Sequence, residues 1–445
     1  MAATDKKNEL RRRAMTAAAT LLGLVPAAQA GKFTAPNSDQ QPNLDLTPSN
    51  DRWTWDSSFL QYNENDRIAV SEPQVGVRRD FDDARAMTIL ATVDVISGST
   101  PLGTLPATAN ASAATVTSAS GRASNPGIGS VPTSHMADTR LGLNGSYERP
   151  VGTDSKEIVG AEVGKEHDFL SLGANYTLNR DFNEKNTTLS LGVSPEYDFV
   201  RPNGGLPFAY GTYQAPGEFQ GTQKSKYLMG GLLGLTQVIN QRTLMQFNYS
   251  PTYENGYLND PYKLVSVTDA NGNPLYAVHE NRPGSRLEHS FYWLTRYNYT
   301  SQDVFSLGLR YFTDNWGIRS ETLDFGYRRQ YHPRRFVEPH VRYYHQSAAD
   351  FYRVGLVQGQ VFPNFASADY RLNSIDGVTF GLRMGWTMLN GSELILRAEY
   401  YAQTGESHPD SAIGIQRTYD LFPTLGATIF QIEYRFEPSK IWTKT

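Results

Sequence analysis

The chain has 445 residues, 41 basic and 45 acidic side chains and no cysteine, with a formal net charge of −4. Only 39% of residues are hydrophobic, yet aromatics reach 12%, with 26 tyrosines against 21 phenylalanines and 6 tryptophans. This excludes a disordered chain, which lacks aromatics; a helical membrane protein, which needs apolar runs of about 18 residues; and any disulfide, thiolate-zinc, iron–sulfur or attached c-type haem centre.

The N-terminus reads as an address. Lys6, Lys7, Arg11, Arg12 and Arg13 form a positive region, Ala14 to Pro26 is a short apolar stretch, and Ala28-Gln29-Ala30 is a small-x-small cleavage signal. The pattern predicts a secretory signal peptide over 1–30, cleaved near Ala30. Removing its five positive and two negative charges takes the net charge from −4 to −7. No basic patch remains to argue for nucleic acid. Residues 31–50, with Pro36, Pro42 and Pro48 among polar neighbours, read as a disordered periplasmic lead-in.

From Trp53 onward, short alternating segments recur. Leu170, Leu172, Ala174, Tyr176 and Leu178 alternate with Ser171, Gly173, Asn175 and Thr177. Phe305, Leu307, Leu309 and Tyr311 alternate with Ser306, Gly308 and Arg310, and Leu323, Phe325 and Tyr327 with Asp324, Gly326 and Arg328. Val378 to Met388 puts six apolar side chains on one parity and polar or small residues on the other. Period two is a strand signature, and Asn390-Gly391 after it is a strong hairpin signal. Strands are predicted near 53–61, 66–79, 84–96, 137–149, 157–164, 169–180, 187–200, 225–239, 243–254, 286–299, 304–313, 319–331, 336–346, 377–389, 392–402 and 426–436.

The fold class that follows is all-β: a transmembrane antiparallel outer-membrane barrel of about sixteen strands, with fourteen to eighteen in range. One parity carries Gly, Ser, Asn, Arg and Glu, which suits a wet lumen, and aromatics crowd the segment ends as interfacial girdles do. Connections alternate between short ones, such as 183–186 and 332–335, and long ones at 97–136, 202–224, 254–285, 346–376 and 403–426. Short periplasmic turns and long external loops make that pattern, and an even count leaves both termini on the periplasmic side. The 97–136 loop is built from Ala, Ser, Thr, Gly and Pro, a composition that favours mobility over an inward-folded plug. Residues 437–445 follow the last aromatic as a C-terminal tail. The six tryptophans read as belt residues: Trp53, Trp55, Trp293, Trp316, Trp386 and Trp442.

Few residues offer chemistry. His345 and Ser347 are two apart at the end of one predicted strand, where an imidazole activates a hydroxyl. The element is similar to the His-x-Ser of outer-membrane phospholipase and lipid A deacylase, but Ala348-Ala349-Asp350 stands where the phospholipase carries Asn-Gly-Arg. The plainer alternative is that both cap a strand at a loop edge. Glu338, His340, Arg342 and Tyr344 share a parity, and with Arg310, Arg328 and Arg383 they form either an anion-selecting constriction or a self-compensating ladder. No metal site is expected, because His332, His340 and His345 differ in parity. No phosphate-binding glycine loop appears, and no cofactor is expected.

Two runs carry a resemblance. The first joins Tyr62 to Arg67, Ser71-Glu72-Pro73, and Val93 to Pro101, including Asp94, Ser97, Gly98 and Pro101. The second runs from Glu338 to Tyr352, including His345, Gln346, Asp350 and Tyr352, and continues at Ser367 to Leu372. From about Trp53 to Phe436 the chain resembles a domain-of-unknown-function family of proteobacterial proteins predicted to be outer-membrane barrels. The resemblance implies neighbouring genes for a thioredoxin-like protein, a small lipoprotein and a flavin transferase, and hence a periplasmic redox partner whose cofactor is its own. It also places Ser97 to Pro101 at the exit from strand three, where Gly98 and Pro101 suit a tight reversal.

Four functions stay open. The chain is a porin-like pore, a sleeve or export partner for a periplasmic redox system, a lipid hydrolase built on His345 and Ser347, or a soluble periplasmic β-protein. The sequence points away from catalysis more than toward it. Expected partners are outer-membrane lipid and the barrel-insertion machinery, and the expected location is the outer membrane of a Gram-negative bacterium.

Overall fold

The computed structural model describes residues 51–65, 67–106, 116–117, 123–124, 132–213, 219–422 and 424–439. The predicted signal peptide and lead-in, most of the tail, and Trp442 lie outside them. In chain order the first strands are β1 (Arg52–Glu64), β2 (Ile68–Asp80), β3 (Ala86–Pro101), β4 (Val116–Thr117), β5 (Ala123–Ser124), β6 (Thr133–Val151) and β7 (Ser155–Lys165). Next come β8 (Phe169–Phe182), β9 (Thr187–Val200), β10 (Lys224–Val238), β11 (Thr243–Gly256), β12 (Leu264–Thr268), β13 (Pro274–His279) and β14 (Ser285–Asn298). The last are β15 (Asp303–Asp314), β16 (Arg319–His332), β17 (Arg335–Gln346), β18 (Leu356–Val357), β19 (Ile375–Thr387), β20 (Glu393–Gly405) and β21 (Leu425–Phe436).

Sixteen of these close an antiparallel barrel in the order β1-β2-β3-β6-β7-β8-β9-β10-β11-β14-β15-β16-β17-β19-β20-β21. Each predicted strand lies on one of them. The seam pairs β1 with β21 from Trp55↔Phe436 to Glu64↔Ala427, so the wall has no free edge. A lipid-facing backbone demands such closure, because hydrocarbon satisfies no unpaired N–H or C=O.

Alternation sorts the side chains. Leu307, Leu309, Leu323, Phe325, Val341 and Phe380 are exposed on the outer face, while Gly308, Asp324, Gly326 and Thr379 point inward. Tyr197, Tyr227 and Tyr253 ring the loop end, and Trp53, Trp55, Tyr297 and Phe305 the turn end, the two interfacial girdles of a membrane barrel.

Three details differ from the sequence reading. The barrel strands are 11 to 19 residues long, and β6, the longest, runs on beside β3 past the predicted end. β3 does not reverse at Ser97 to Pro101 but stays paired with β6 as far as Pro101↔Thr133, which shortens the expected 97–136 loop. Gly98 takes φ +128° there, and the Ser99 N–H reaches the Arg67 carbonyl at 3.0 Å. The glycine therefore kinks a continuing strand instead of turning it. A Cβ at this position would run into the Arg67 carbonyl and Ile68 Cα. Gly98→Val is expected to destabilise the barrel by at least about 2 kcal/mol, read as a lower temperature for the folded-to-unfolded shift in gel mobility.

Trp316 is the third. It is not a belt residue: only 4% exposed, it packs with Ile318, Ala349, Phe351 and Leu372, and its indole N–H donates to the Ser285 carbonyl at 2.9 Å. This cluster and a second one belong to a cap at the loop end. The second centres on Val265, Val267, Val278, Leu356, Ala366 and Ala368, around a small sheet ordered β13-β12-β18.

Candidate functional site: the capped mouth and the lumen

The cap begins with a short apolar run inside a long loop. Leu264, Val265 and Val267 make β12 a fully buried strand, which pairs antiparallel with β13 and parallel with β18. The parallel pair is built from two different loops, β11–β14 and β17–β19. A third loop adds Thr212, bridged to Val278, and the β20–β21 loop adds the Ile415 N–H on the Asn271 carbonyl at 3.0 Å. Leu102 and Leu105, just past β3, are buried against it: the Leu264 N–H donates to Leu102 O at 3.0 Å, and the Leu105 N–H to the Ser266 hydroxyl at 2.9 Å. A loop rooted between β11 and β14 thus touches the far wall at β3. The cap spans the mouth.

Charge pins it. Asp369, 1% exposed, receives Arg282 at 2.9 Å and the Arg371 Nε at 2.9–3.0 Å, with the Lys263 ammonium 4.0 Å away. Arg371 also reaches Asp260 at 2.8 Å. Glu280, equally buried, accepts from the Ser367 hydroxyl at 2.5 Å and the Asp260 N–H at 2.6 Å, and pairs with Arg282. Lys263 donates to the Pro101 carbonyl at 2.5 Å, tying the network to β3. Burial alone would raise the Asp369 carboxyl, but Arg371, Lys263 and Arg282 outweigh it and hold the group far below the usual range. Burial pulls the Lys263 ammonium down and pushes the Glu280 carboxyl up, the second only partly offset by Arg282.

The family-like residues converge here as anchors. The Gln346 amide donates to the Arg371 and Asn373 carbonyls at 2.9 and 3.0 Å. The Asp350 N–H donates to Trp316 O at 2.8 Å, and Tyr352 bridges to Ser367. The Arg67 guanidinium lies 5.6 Å from the Tyr370 ring centre. Tyr352 and Tyr370 help line a cavity of about 30 Å³ with Pro101, Leu105 and Phe422, room for a water and little more. Asp94 sits apart, on the lumen face of β3 opposite Arg140, and Ser97 points outward.

His345 and Ser347 are not brought together. The imidazole Nδ1 lies 2.9 Å from Asp376, on the outer parity of β17. β17 ends at Gln346, and the Ser347 hydroxyl turns to the next hairpin, accepting from the Arg319 N–H at 3.0 Å and donating to Gly317 O at 3.3 Å. Each partner is spoken for, and no hydrogen bond joins the two, so the geometry is that of a strand cap.

In the lumen, Arg342 pairs with Asp324 at 2.6 Å and Arg383 approaches Glu338 at 3.6 Å. His340 lies 3.7 Å from Glu399. The Arg328 guanidinium stacks 3.5 Å above the Phe336 ring, and Arg310 lies 5.7 Å from the Tyr292 ring centre. The ladder is part compensated and part cation–π. His332 accepts from the Arg334 N–H at 3.2 Å and shares no ligand position with the other two histidines. Toward the loop end, a carboxylate group that no local pattern marks brings one oxygen from each of Asp138, Glu166 and Asp168 within 4.8 Å of the others. The Tyr262 hydroxyl donates to Asp168 at 2.6 Å, and Arg140 stands 3.8 Å from Glu166.

Residues 12–436 match the family described as protein of unknown function, DUF3570. The chain belongs to that family. Among curated proteins, none matches the sequence. Several solved structures align with the chain at low identity. The ferric enterobactin receptor PfeA of Pseudomonas aeruginosa aligns at 9% identity and a TM-score of 0.41 over 80% of this chain, which spans 54% of the receptor's length. CdiB from Acinetobacter baumannii aligns at 9% identity and a TM-score of 0.43, covering 86% and 60% of the two chains. OccK2 of Pseudomonas aeruginosa, solved with glucuronate, aligns at 10% identity and 0.40, covering 87% and 98%. At such identities the likeness concerns the outer-membrane barrel fold alone.

The cap residues were legible only in part. Ser367 to Leu372 stood out as a run, yet nothing in it announced Asp369 as the centre of a network. The short apolar run of Leu264, Val265 and Val267 inside a long loop is the available signal for a capping sheet.

Proposed function

We propose that this DUF3570 protein is an outer-membrane diffusion channel that rests with its external mouth covered by the cap. The observation that carries this is the bridge from the β11–β14 loop to β3, laid over a lumen face of polar and charged side chains. A barrel of sixteen strands is wide enough to hold water, and a cap pinned by buried ion pairs rather than by apolar contacts alone has discrete bonds to break. The reading needs no cofactor and no catalytic residue.

Planar-bilayer recording on the folded, heat-modifiable chain tests it. The expected record is sparse, discrete current steps from the resting protein and sustained steps once the cap is loosened. A flat trace from both the native chain and a cap-loosened variant would remove the channel reading.

A further inference from the structure

The lumen wall is charged unevenly around its circumference. Glu72, Asp94, Asp138, Glu162, Glu196 and Asp198 project inward from β2, β3, β6, β7 and β9, five strands within one arc of the barrel. Arg140 and Lys226 stand among them, with Lys226 3.4 Å from Asp198, while Arg78 and Lys156 of the same arc stand nearer the turns, paired with Asp80 and Glu148. Arg296, Arg310, Arg328, Arg342, Arg383 and Arg397 project inward from β14 to β20, the opposite arc. Asp324, Glu338 and Glu399 answer some of them, Glu393 stands beside Arg435, and nearer the cap Arg286 is matched by Glu288 and Asp314, so this arc is close to balanced while the first is acidic. The acids stand mid-strand or nearer the cap; most of the arginines stand nearer the turns.

Two observations mark the acidic arc as incompletely satisfied. Glu72 on β2 and Asp94 on the neighbouring β3, and Glu196 and Asp198 on β9, bring carboxylates together on the same lumen face. Asp198, 1% exposed, keeps one carboxylate oxygen without a hydrogen-bond partner. On the other arc, Arg328 and Arg310, on inward-facing positions, lie over the Phe336 and Tyr292 rings.

We infer that this lumen selects dipolar solutes: small molecules carrying an ammonium and a carboxylate or phosphate, led by the ammonium along the β2–β9 wall with the anionic group toward the arginines. The inference rests on the channel reading and names its substrate class. Opposed charge on low-dielectric walls focuses a field across the water between them. That field aligns a dipole, gives a neutral sugar nothing, and sets each wall against one class of simple ion. Screening at physiological salt acts over about 8 Å, so a solute close to a wall feels it and bulk water does not.

Vesicle swelling tests it, with the full chain and its Asp369→Ala form in neutral phospholipid. Glutamine serves as the zwitterion and arabinose as the neutral probe. Glutamine is expected to enter at least about threefold faster than arabinose through the cap-loosened chain. Glu72→Gln with Asp94→Asn is expected to bring that ratio toward one and to shift the reversal potential in a potassium chloride gradient toward anions. Should that pair fail to fold, Arg310→Gln with Arg328→Gln is expected to lower the ratio from the other wall and shift the potential toward cations. Arabinose passing as fast as glutamine overturns this inference alone. Glutamine and arabinose both excluded from both chains overturns the channel reading, and this inference with it.

Discussion

Asp369→Ala is expected to raise single-channel conductance several-fold and to leave the barrel folded. The substitution removes the carboxylate at which Arg282, Arg371 and Lys263 converge, leaving those buried cations without their common partner. Breaking one side of a buried ion network costs about 3–5 kcal/mol, mostly through the charges left behind. The loss falls on the cap, because the wall is held by its own hydrogen-bonded ladders, including the β1–β21 seam, and none of these uses Asp369. Two measurements check the result together: bilayer conductance, and protease nicking in the 257–284 and 347–374 loops. Rapid nicking with unchanged conductance would show that the cap moves without gating. Native protection with native conductance would show that the network does not hold it.

Acidification from pH 7 to about 4 is expected to loosen the same cap, through His279. Burial holds this imidazole down to about 4, with its one hydrogen bond, to the Pro261 backbone, opposing weakly, and Nδ1 is buried without a partner. Its ring stands against Tyr213 at 5.9 Å, opposite Leu264 on β12, with Glu280 next in the chain and Lys263 just before β12. An unfolded histidine takes its proton near 6.5, so the contribution of neutral His279 is complete above that pH. It drains away as pH falls toward about 4, by up to about 3 kcal/mol. Asp369 works in the other direction: its carboxyl stays ionised well below the usual range, so its ion pairs persist through this window. Loop nicking and conductance at pH 7, 5.5 and 4 should therefore rise together, and His279→Gln should flatten both profiles. An acid response that survives His279→Gln would assign the sensor elsewhere.

Much of the wall was readable in advance because each strand carries its own proof. In β16, Leu323 and Phe325 face lipid while Asp324 and Gly326 face water, and that alternation is local. The lumen ladder of Glu338, His340 and Arg342 followed from the same parity. What a strand's parity could not say is where a chain goes after the strand stops. His345 and Ser347 share a parity on paper, but β17 ends between them and the serine turns to Gly317 and Arg319. Gly98 read as a turn glycine, yet β6 continues alongside it and uses its freedom for a kink. Trp316 read as a belt residue because tryptophan at a strand end usually is one; Phe351, from a different loop, buries it instead.

Local patterning carries the strands themselves, about sixteen of them, their order around an antiparallel wall, which face meets lipid and which ends carry long loops. Each depends on period-two patterning and on residues close in the chain. The capped mouth, its hub at Asp369 and the crowding of carboxylates on one arc of the lumen arise only once the chain has folded back across the barrel. Those features come from β12 meeting β18 and from Lys263 reaching Pro101, across separations no local pattern encodes. Closure of the barrel is what places such residues near one another, and burial then makes their charges matter.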